Sequence, residues 1–241
     1  MGFHDLGLSE QLHLARRGTA FFAQRLAELR DDELARPTLL AGWTRKHLVA
    51  HVGYNAVALC RLLDWAATGE ERPMYESTEH RNREIAEHAT LTAAALRNLV
   101  SHTVARLNER WRNLPDSAWT AQVRTAQGRT IAASETAWMR TKEVWVHAVD
   151  LDNGGRFGDF PDVVLESLLT DVVDSWRTKE LGAGLVLAID GRAPIAVQPE
   201  SESETTVELS GPPASIVRWV AGRGAVGLTA NGEIPDPPRW L

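Results

Sequence analysis

The sequence predicts two domains, an all-helical N-terminal bundle and a small α+β C-terminal domain, joined near residues 152–160. Three observations predict this fold class. Apolar residues recur at helical spacing through the first two thirds of the chain. The segment Asp152-Asn153-Gly154-Gly155 then ends that pattern. Beyond it, short runs rich in β-branched residues alternate with turn signals such as Asp190-Gly191. We therefore place the domains at residues 1–153 and 160–241.

The helices of the first domain are bounded by recognisable signals. Thr44 is a good N-cap, Gly69 a C-terminal stop, and Pro115 ends a later helix. The segment Trp119–Thr130 contains Gln127-Gly128-Arg129 and is predicted as a loop with short extended pieces. The predicted helices run from Ser9 to Arg30, from Thr44 to Thr68, from Thr78 to Ala89, from Thr92 to just before Pro115, and from Ser134 to Leu151.

The second domain is predicted to alternate helices and strands. Pro161 opens a helix to about Lys179, and Gly211-Pro212-Pro213 bounds the third strand. The last residues, from Pro235 onward, are too rich in proline to be regular. After that first helix we expect strands at 184–189, 194–197 and 205–209, a helix at 214–221 and a last strand at 225–229.

Composition excludes several classes of protein. The 241 residues carry 26 basic and 32 acidic side chains, and no basic run occurs, which argues against a nucleic-acid binder. No window reaches the roughly 18 consecutive apolar residues that a membrane span needs. The N-terminus lacks the charged-then-apolar pattern of a signal peptide. These features predict a cytoplasmic protein without membrane or nucleic-acid partners.

The single cysteine, Cys60, excludes an internal disulfide framework and a cysteine-based zinc site. It lies on the far side of its predicted helix from His51, where a small buried thiol is expected. Any thiol chemistry therefore rests on Cys60 or on a thiol supplied from outside the chain.

Two predicted helices carry metal-ligand residue types one turn apart, in His47-Leu48-Val49-Ala50-His51 and Glu143-Val144-Trp145-Val146-His147. Residues at i and i+4 share a helix face, so Glu143 and His147 can converge on one divalent cation. His51 lies on the side of its helix that carries Ala58, Leu62 and Trp65, and this predicts that it points into the bundle. His47, in the first turn after Thr44, is expected to cap the helix or face solvent.

The face that carries Glu143 permits two interpretations. Glu143 and His147 belong to one polar stripe, and Trp138, Trp145 and Val149 form the opposite, core-type face. The stripe either faces solvent, as such pairs often do, or lines a polar cavity. It consists of Thr136, Arg140, Glu143, His147 and Asp150.

Two arginines are candidates for contacting an anionic substrate. Arg223 lies in Gly222-Arg223-Gly224, directly after the second helix of the C-terminal domain. It can interact with that helix C-terminus, or aim its planar guanidinium at a substrate carboxylate. Arg81, beside Asn82 on the polar third helix, can do the same or form a surface ion pair. The remaining histidines, His4, His13, His80, His88 and His102, have no partner at ligand spacing.

Five segments together carry a resemblance to a known family. Gly42-Trp43-Thr44, with Leu48 and Ala50-His51 after it and Glu143 and His147 far downstream, resembles the DinB/YfiT-like metal-binding bundles. The remaining segments extend the resemblance over essentially the whole chain, to the mycothiol-dependent maleylpyruvate isomerases. They are Thr125-Ala126-Gln127-Gly128-Arg129, Ala221-Gly222-Arg223-Gly224 and Pro237-Pro238-Arg239-Trp240-Leu241.

The resemblance implies a DinB-like four-helix-type bundle that binds a divalent metal, with zinc expected, through His51, Glu143 and His147. It also implies a C-terminal α/β domain similar to sterol-carrier-type domains, from which Arg223 reaches the substrate. The implied reaction is isomerisation of maleylpyruvate to fumarylpyruvate, a step of gentisate breakdown, with mycothiol as cofactor. One position departs from the pattern, since many such bundles have an acidic residue where this chain has His47.

Two other functions remain open at this point. One is a mycothiol S-transferase on the same scaffold, which would keep the thiol in a conjugate, whereas an isomerase returns it. The other is a binding module whose C-terminal domain holds an apolar ligand and whose histidines are structural.

Overall fold

The structure, a computed structural model, describes residues 1–199 and 206–240. Contacts divide the chain into two units, one formed by Gly7–Gly155 and the other by Met1–Leu6 together with the described residues from Arg156 onward. Thr205, in the predicted strand 205–209, and Leu241, in the terminal motif, lie outside the described residues.

The unit Gly7–Gly155 is a bundle in which α2 packs against α4 and α5, and α1 packs along α5. Gly18 permits the close approach of α1 and α5, because a Cβ there would lie 2.5 Å from Trp145 Nε1. The helices are α1 (Leu8–Ala27), α2 (Arg45–Thr68), α3 (Thr78–His88), α4 (Ala93–Asn113) and α5 (Glu135–Asp150).

The helix boundaries follow the predicted signals with one clear difference. Helix α2 begins after Thr44 and ends at Gly69, whose φ of +77° is the left-handed conformation that glycine favours. Helix α1 ends at Ala27, before the predicted Arg30. Leu29 is nevertheless buried in the turn that follows, so the apolar spacing continues past the helix end.

The segment between α4 and α5 contains the predicted extended pieces. They form an antiparallel pair, β1 (Gln122–Arg124) and β2 (Thr130–Ala132), with Val123 opposite Ile131. This pair begins a few residues after Pro115 and leads directly into α5.

The C-terminal unit combines helices with a mixed sheet of order β4-β3-β5-β6, in which β3 and β5 are parallel and the other pairs antiparallel. Strand β3 buries Leu185, Leu187 and Ile189 at period two, and α7 packs against β3, β5 and α6. The elements are α6 (Asp162–Thr178), β3 (Leu185–Ile189), β4 (Ile195–Ala196), β5 (Val207–Gly211), α7 (Pro213–Val220) and β6 (Thr229–Ala230).

The last strand and the tail of the C-terminal unit compare differently with their predictions. The strand predicted at 225–229 is wrong in position, because Gly224 and Gly227 have φ of +89° and +79° and form turns before pairing begins at Thr229. The tail is irregular, as predicted. Indole N–H groups of Trp176 and Trp219 donate to main-chain carbonyls in that tail, at 3.1 and 3.0 Å.

Among the described residues, no helix combines the length and apolar character that crossing a bilayer requires.

Candidate metal centre

The polar stripe of α5 lies inside the bundle. Thr136, Arg140 and Asp150 are between 0% and 1% exposed, so the interpretation as a solvent-facing stripe is wrong. The opposite face, with Trp138 and Trp145, is buried as well. Helix α5 is therefore enclosed on both faces, and its polar stripe must find partners within the protein.

Three predicted residues meet at one point between α2 and α5. One ligand atom each from His51, Glu143 and His147 lies within 4.8 Å of the other two. Glu143 Oε1 contacts His51 Nε2 directly and lies 3.4 Å from His147 Nε2. The two imidazole rings are edge to face, with centroids 5.0 Å apart. As predicted, His51 is buried and points into the bundle.

A buried carboxylate orients one of these histidines. The Nδ1–H group of His147 donates to Asp150 Oδ2 at 2.8 Å, and Asp150 is 0% exposed. This hydrogen bond leaves Nε2 of His147 facing Glu143. Histidines that bind metals are commonly held by a carboxylate in this way.

Burial and charge set the ionisation of the cluster. Burial alone would lower the pKa of His147, but Glu143 and Asp150 outweigh it and raise that pKa to about 9. Burial opposes ionisation of Glu143, yet the two histidines hold its pKa well below the ordinary value. Burial lowers the pKa of His51, with Glu143 opposing. At neutral pH the cluster therefore contains one carboxylate, a protonated His147 and a neutral His51.

The structure brings Arg81 to this cluster. Its Nη2 donates to His51 Nδ1 at 3.1 Å, and its guanidinium lies 5.7 Å from the ring centroid of Tyr75. The surface ion pair weighed from the sequence is not what the structure shows. Burial, followed by the charge of Glu143, raises the pKa of Tyr75 to about 12, so that its phenol stays protonated at neutral pH.

Two aromatic residues of the site were not identified from the sequence. Trp43 packs edge to face on His51, with ring centroids 5.3 Å apart. Its position directly before the N-cap residue Thr44 could have indicated that it lies near His51, one to two turns along the same helix. Tyr75 had none, because it lies in the irregular segment between α2 and α3.

His47 completes the cap of α2. Its Nδ1 lies 2.8 Å from Thr44 Oγ1 and accepts the backbone N–H of Thr44 at 3.3 Å. A ring nitrogen thus takes the place of the acidic side chain expected there in similar bundles. This contact confirms the predicted capping role.

Cys60 is buried and free, as expected, and burial raises the pKa of its thiol to about 11. Such a thiol is not ionised at neutral pH and is no nucleophile. Thiol chemistry at this centre would require an external thiol.

Arg223 lies in the C-terminal unit, in the turn after α7. Its carbonyl accepts from Arg218 Nε at 2.7 Å, and its Nη1 donates to the carbonyl of Ala221. These contacts fit the alternative in which the cation interacts with the end of its own helix. A role of Arg223 toward substrate stays a prediction.

Known proteins resemble the chain over its whole length. Residues 15–152 match the family model described as the mycothiol maleylpyruvate isomerase N-terminal domain, and residues 159–239 match that of the MDMPI C-terminal domain. A crystal structure of the mycothiol-dependent maleylpyruvate isomerase is 50% identical, with a TM-score of 0.95 and 100% of both chains covered. A histidine-to-alanine mutant of that enzyme is 49% identical, with the same TM-score and coverage.

A more distant structure shares only the bundle. YfiT from Bacillus subtilis, with an unusual four-helix bundle topology, is 16% identical, with a TM-score of 0.50 over 60% of this chain and 83% of its own. This similarity shows the fold alone. No curated protein is significantly similar to the chain.

Proposed function

The chain belongs to the mycothiol-dependent maleylpyruvate isomerase family, and we propose that it isomerises maleylpyruvate to fumarylpyruvate at the cluster of His51, Glu143 and His147. The observation that carries this proposal is the convergence of two imidazoles and one carboxylate inside the bundle. The solved structures that match this chain over its full length are mycothiol-dependent maleylpyruvate isomerases. We also propose that residues 1–153 form the metal-binding domain and that residues 160–241 form a separate C-terminal domain. It also includes a cytoplasmic location and a step in gentisate breakdown.

The donor set fits a divalent metal. Two imidazole nitrogens and a carboxylate oxygen are the protein ligands of one class of catalytic zinc site, which keeps a further position open. The hydrogen bond from His147 to Asp150 holds the ring in the tautomer that ligation through Nε2 requires. We propose zinc as the ion.

Isomerisation requires a temporary single bond. Rotation about a carbon–carbon double bond is slow, but a thiolate can add to the conjugated alkene, permit rotation, and depart unchanged. A metal held by His51, Glu143 and His147 would supply a Lewis acid that lowers the pKa of a bound thiol or polarises a substrate carbonyl. Since the Cys60 thiol is buried and protonated, mycothiol is the nucleophile in this scheme.

Arg81 is proposed to bind the substrate anion. A guanidinium only donates hydrogen bonds, so Arg81 needs a lone pair on His51 Nδ1 for the contact that it makes. If His51 held a metal through Nε2, its remaining ring proton would reside on Nδ1, and Arg81 would lose this acceptor. The guanidinium would then be available for a substrate carboxylate or for the enolate formed on thiol addition. Arg223 is proposed as a second cation for the same charges.

The decisive experiment follows the absorbance of maleylpyruvate with purified, metal-analysed protein, with and without mycothiol. We expect fumarylpyruvate only when mycothiol is present, with no thiol consumed, and loss of activity on chelation or in His51→Ala. Thiol retained in a conjugate would indicate a transferase instead. Metal-free protein without turnover, carrying co-purified lipid, would indicate a binding module.

Metal binding is expected to release about one proton per site at pH 7, because His147, with a pKa of about 9, must lose its proton to ligate. His51 is already neutral and Glu143 already ionised at that pH. The apparent affinity should rise about tenfold per pH unit from pH 6.5 and level off above about pH 9. Calorimetry in buffers of different ionisation enthalpy measures the released protons.

The same raised pKa stabilises the metal-free fold. The contribution from His147 is complete below its unfolded pKa of about 6.5 and is lost as the pH rises through about 9. Asp150→Asn removes one carboxylate that raises the pKa of His147, so the pH at which proton release falls to half should be lower than in the wild-type protein. The same half-release pH in both proteins would contradict the assignment.

A further inference from the structure

Arg140 places a buried guanidinium one turn before Glu143 on α5. The residue is 1% exposed, and its Nη1 donates to the carbonyl of Val52 at 2.8 Å and to Asn55 Oδ1 at 2.9 Å. Its Nε and Nη2 are buried and have no hydrogen-bond partner among the described residues. The function proposed above does not use this side chain.

A buried cation of this kind is costly to the fold. The two acceptors of Arg140, a main-chain carbonyl and an amide oxygen, carry no formal charge that would neutralise it. Burial lowers its pKa to about 10, and the charge of Glu143 only partly compensates. An apolar side chain of similar volume would avoid this cost, so a role other than stability is needed to account for it.

The contacts of Arg140 join the two helices that carry the cluster. Arg140 lies one turn before Glu143 on the same face of α5, and Val52 directly follows His51 on α2. The two hydrogen bonds therefore tie α2 to α5 within one turn of the ligands. His51 comes from α2, whereas Glu143 and His147 come from α5. The distance between those helices decides whether all three can reach one ion.

We propose that Arg140 is a positioning residue that sets the spacing of α2 and α5 and thereby the coordination geometry of the metal. This inference rests on the proposed metal site. Functional sites need their ligands held within about 0.5 Å of the productive geometry, which requires supporting contacts of this kind. A lysine at position 140 would keep the charge, but its ammonium would end about one bond short of Nη1 and lose the tie.

Cobalt(II) is the probe, because its visible absorption reports coordination geometry without any assay of turnover. The chelator-treated wild-type protein, Arg140→Lys, Arg140→Met and Asn55→Ala are titrated with Co²⁺, and each thermal unfolding midpoint is measured. We expect both Arg140 variants to bind Co²⁺ at least about tenfold more weakly, with a changed visible spectrum. Asn55→Ala, which removes one of the two acceptors, should show a smaller change in the same direction.

Thr136→Val is the matched control. Thr136 is equally buried on the same stripe of α5, but its hydroxyl donates to the Ala133 carbonyl and accepts from the Trp111 indole, so neither of these hydrogen bonds joins α5 to α2. It should lower the unfolding midpoint while leaving Co²⁺ affinity and spectrum unchanged. If Arg140→Met does not fold, Arg140→Lys and Asn55→Ala still decide the question.

Wild-type affinity and spectrum in folded Arg140→Lys and Asn55→Ala would overturn this inference alone. A wild-type protein that binds no Co²⁺ would overturn the proposed metal site and this inference with it.

Discussion

Glu143→Gln is expected to abolish bound metal and to lower thiol-dependent turnover by about 10³-fold, the upper end of the loss from removing one electrostatic group. Glu143 is the carboxylate of the three-residue cluster, and its Oε1 contacts or approaches Nε2 of both histidines. An amide keeps the shape but carries no charge to offset that of a divalent ion. Metal analysis and the maleylpyruvate assay measure the two losses.

The variant should remain folded with reduced stability. The pKa of Glu143 is held well below its ordinary value, so the fold favours the ionised form, and a neutral side chain loses that interaction. We expect a loss on the order of 3 to 5 kcal/mol in the free energy of unfolding of the metal-free protein at pH 7, the usual cost of removing one partner of a buried ion pair. Glu135→Gln, the same change in the first turn of α5, is the control and should retain metal. Wild-type metal affinity in Glu143→Gln would exclude it as a ligand.

Spacing along the sequence identified the helices and the pair Glu143 and His147, whereas His51 joined the ligand set through the family resemblance. Spacing of four residues places Glu143 and His147 on one face whatever surrounds the helix. Spacing does not show whether that face points to solvent or into the protein. Periodicity shows which residues share a face, whereas α1, α2 and α4 decide what covers it. Both faces of α5 are buried, which no contrast between polar and apolar residues could predict.

Contacts between distant segments were the part that the sequence did not predict. Arg81 lies on a helix whose one buried residue is Ile85, so its composition is that of a solvated helix. Its contact with His51 depends on how α3 packs against α2, not on any spacing along the chain. Arg140 was visible as part of the polar stripe, but its acceptors belong to α2, 85 and 88 residues away.

Arg223→Ala is expected to lower kcat/KM by about 10²-fold, the typical loss when a group that stabilises developing negative charge is removed. Bound metal should be unchanged, because the cluster lies in Gly7–Gly155 and Arg223 does not. The turn also has main-chain support that does not involve this side chain. Its N–H donates to the Arg218 carbonyl, and Gly222 and Gly224 supply the positive φ of +76° and +89°.

Two further variants separate a substrate contact from a role in the turn. Arg223→Lys keeps a cation, so partial recovery of kcat/KM over the alanine variant would show that charge is what the reaction needs. Arg192→Ala removes another arginine of the same unit, one paired with Glu166, and should leave kcat/KM unchanged. If Arg223→Ala instead lowers the unfolding midpoint and keeps its turnover per folded molecule, the guanidinium stabilises the end of α7. Arg81 would then be the remaining arginine proposed here to contact the carboxylates and enolate of the substrate.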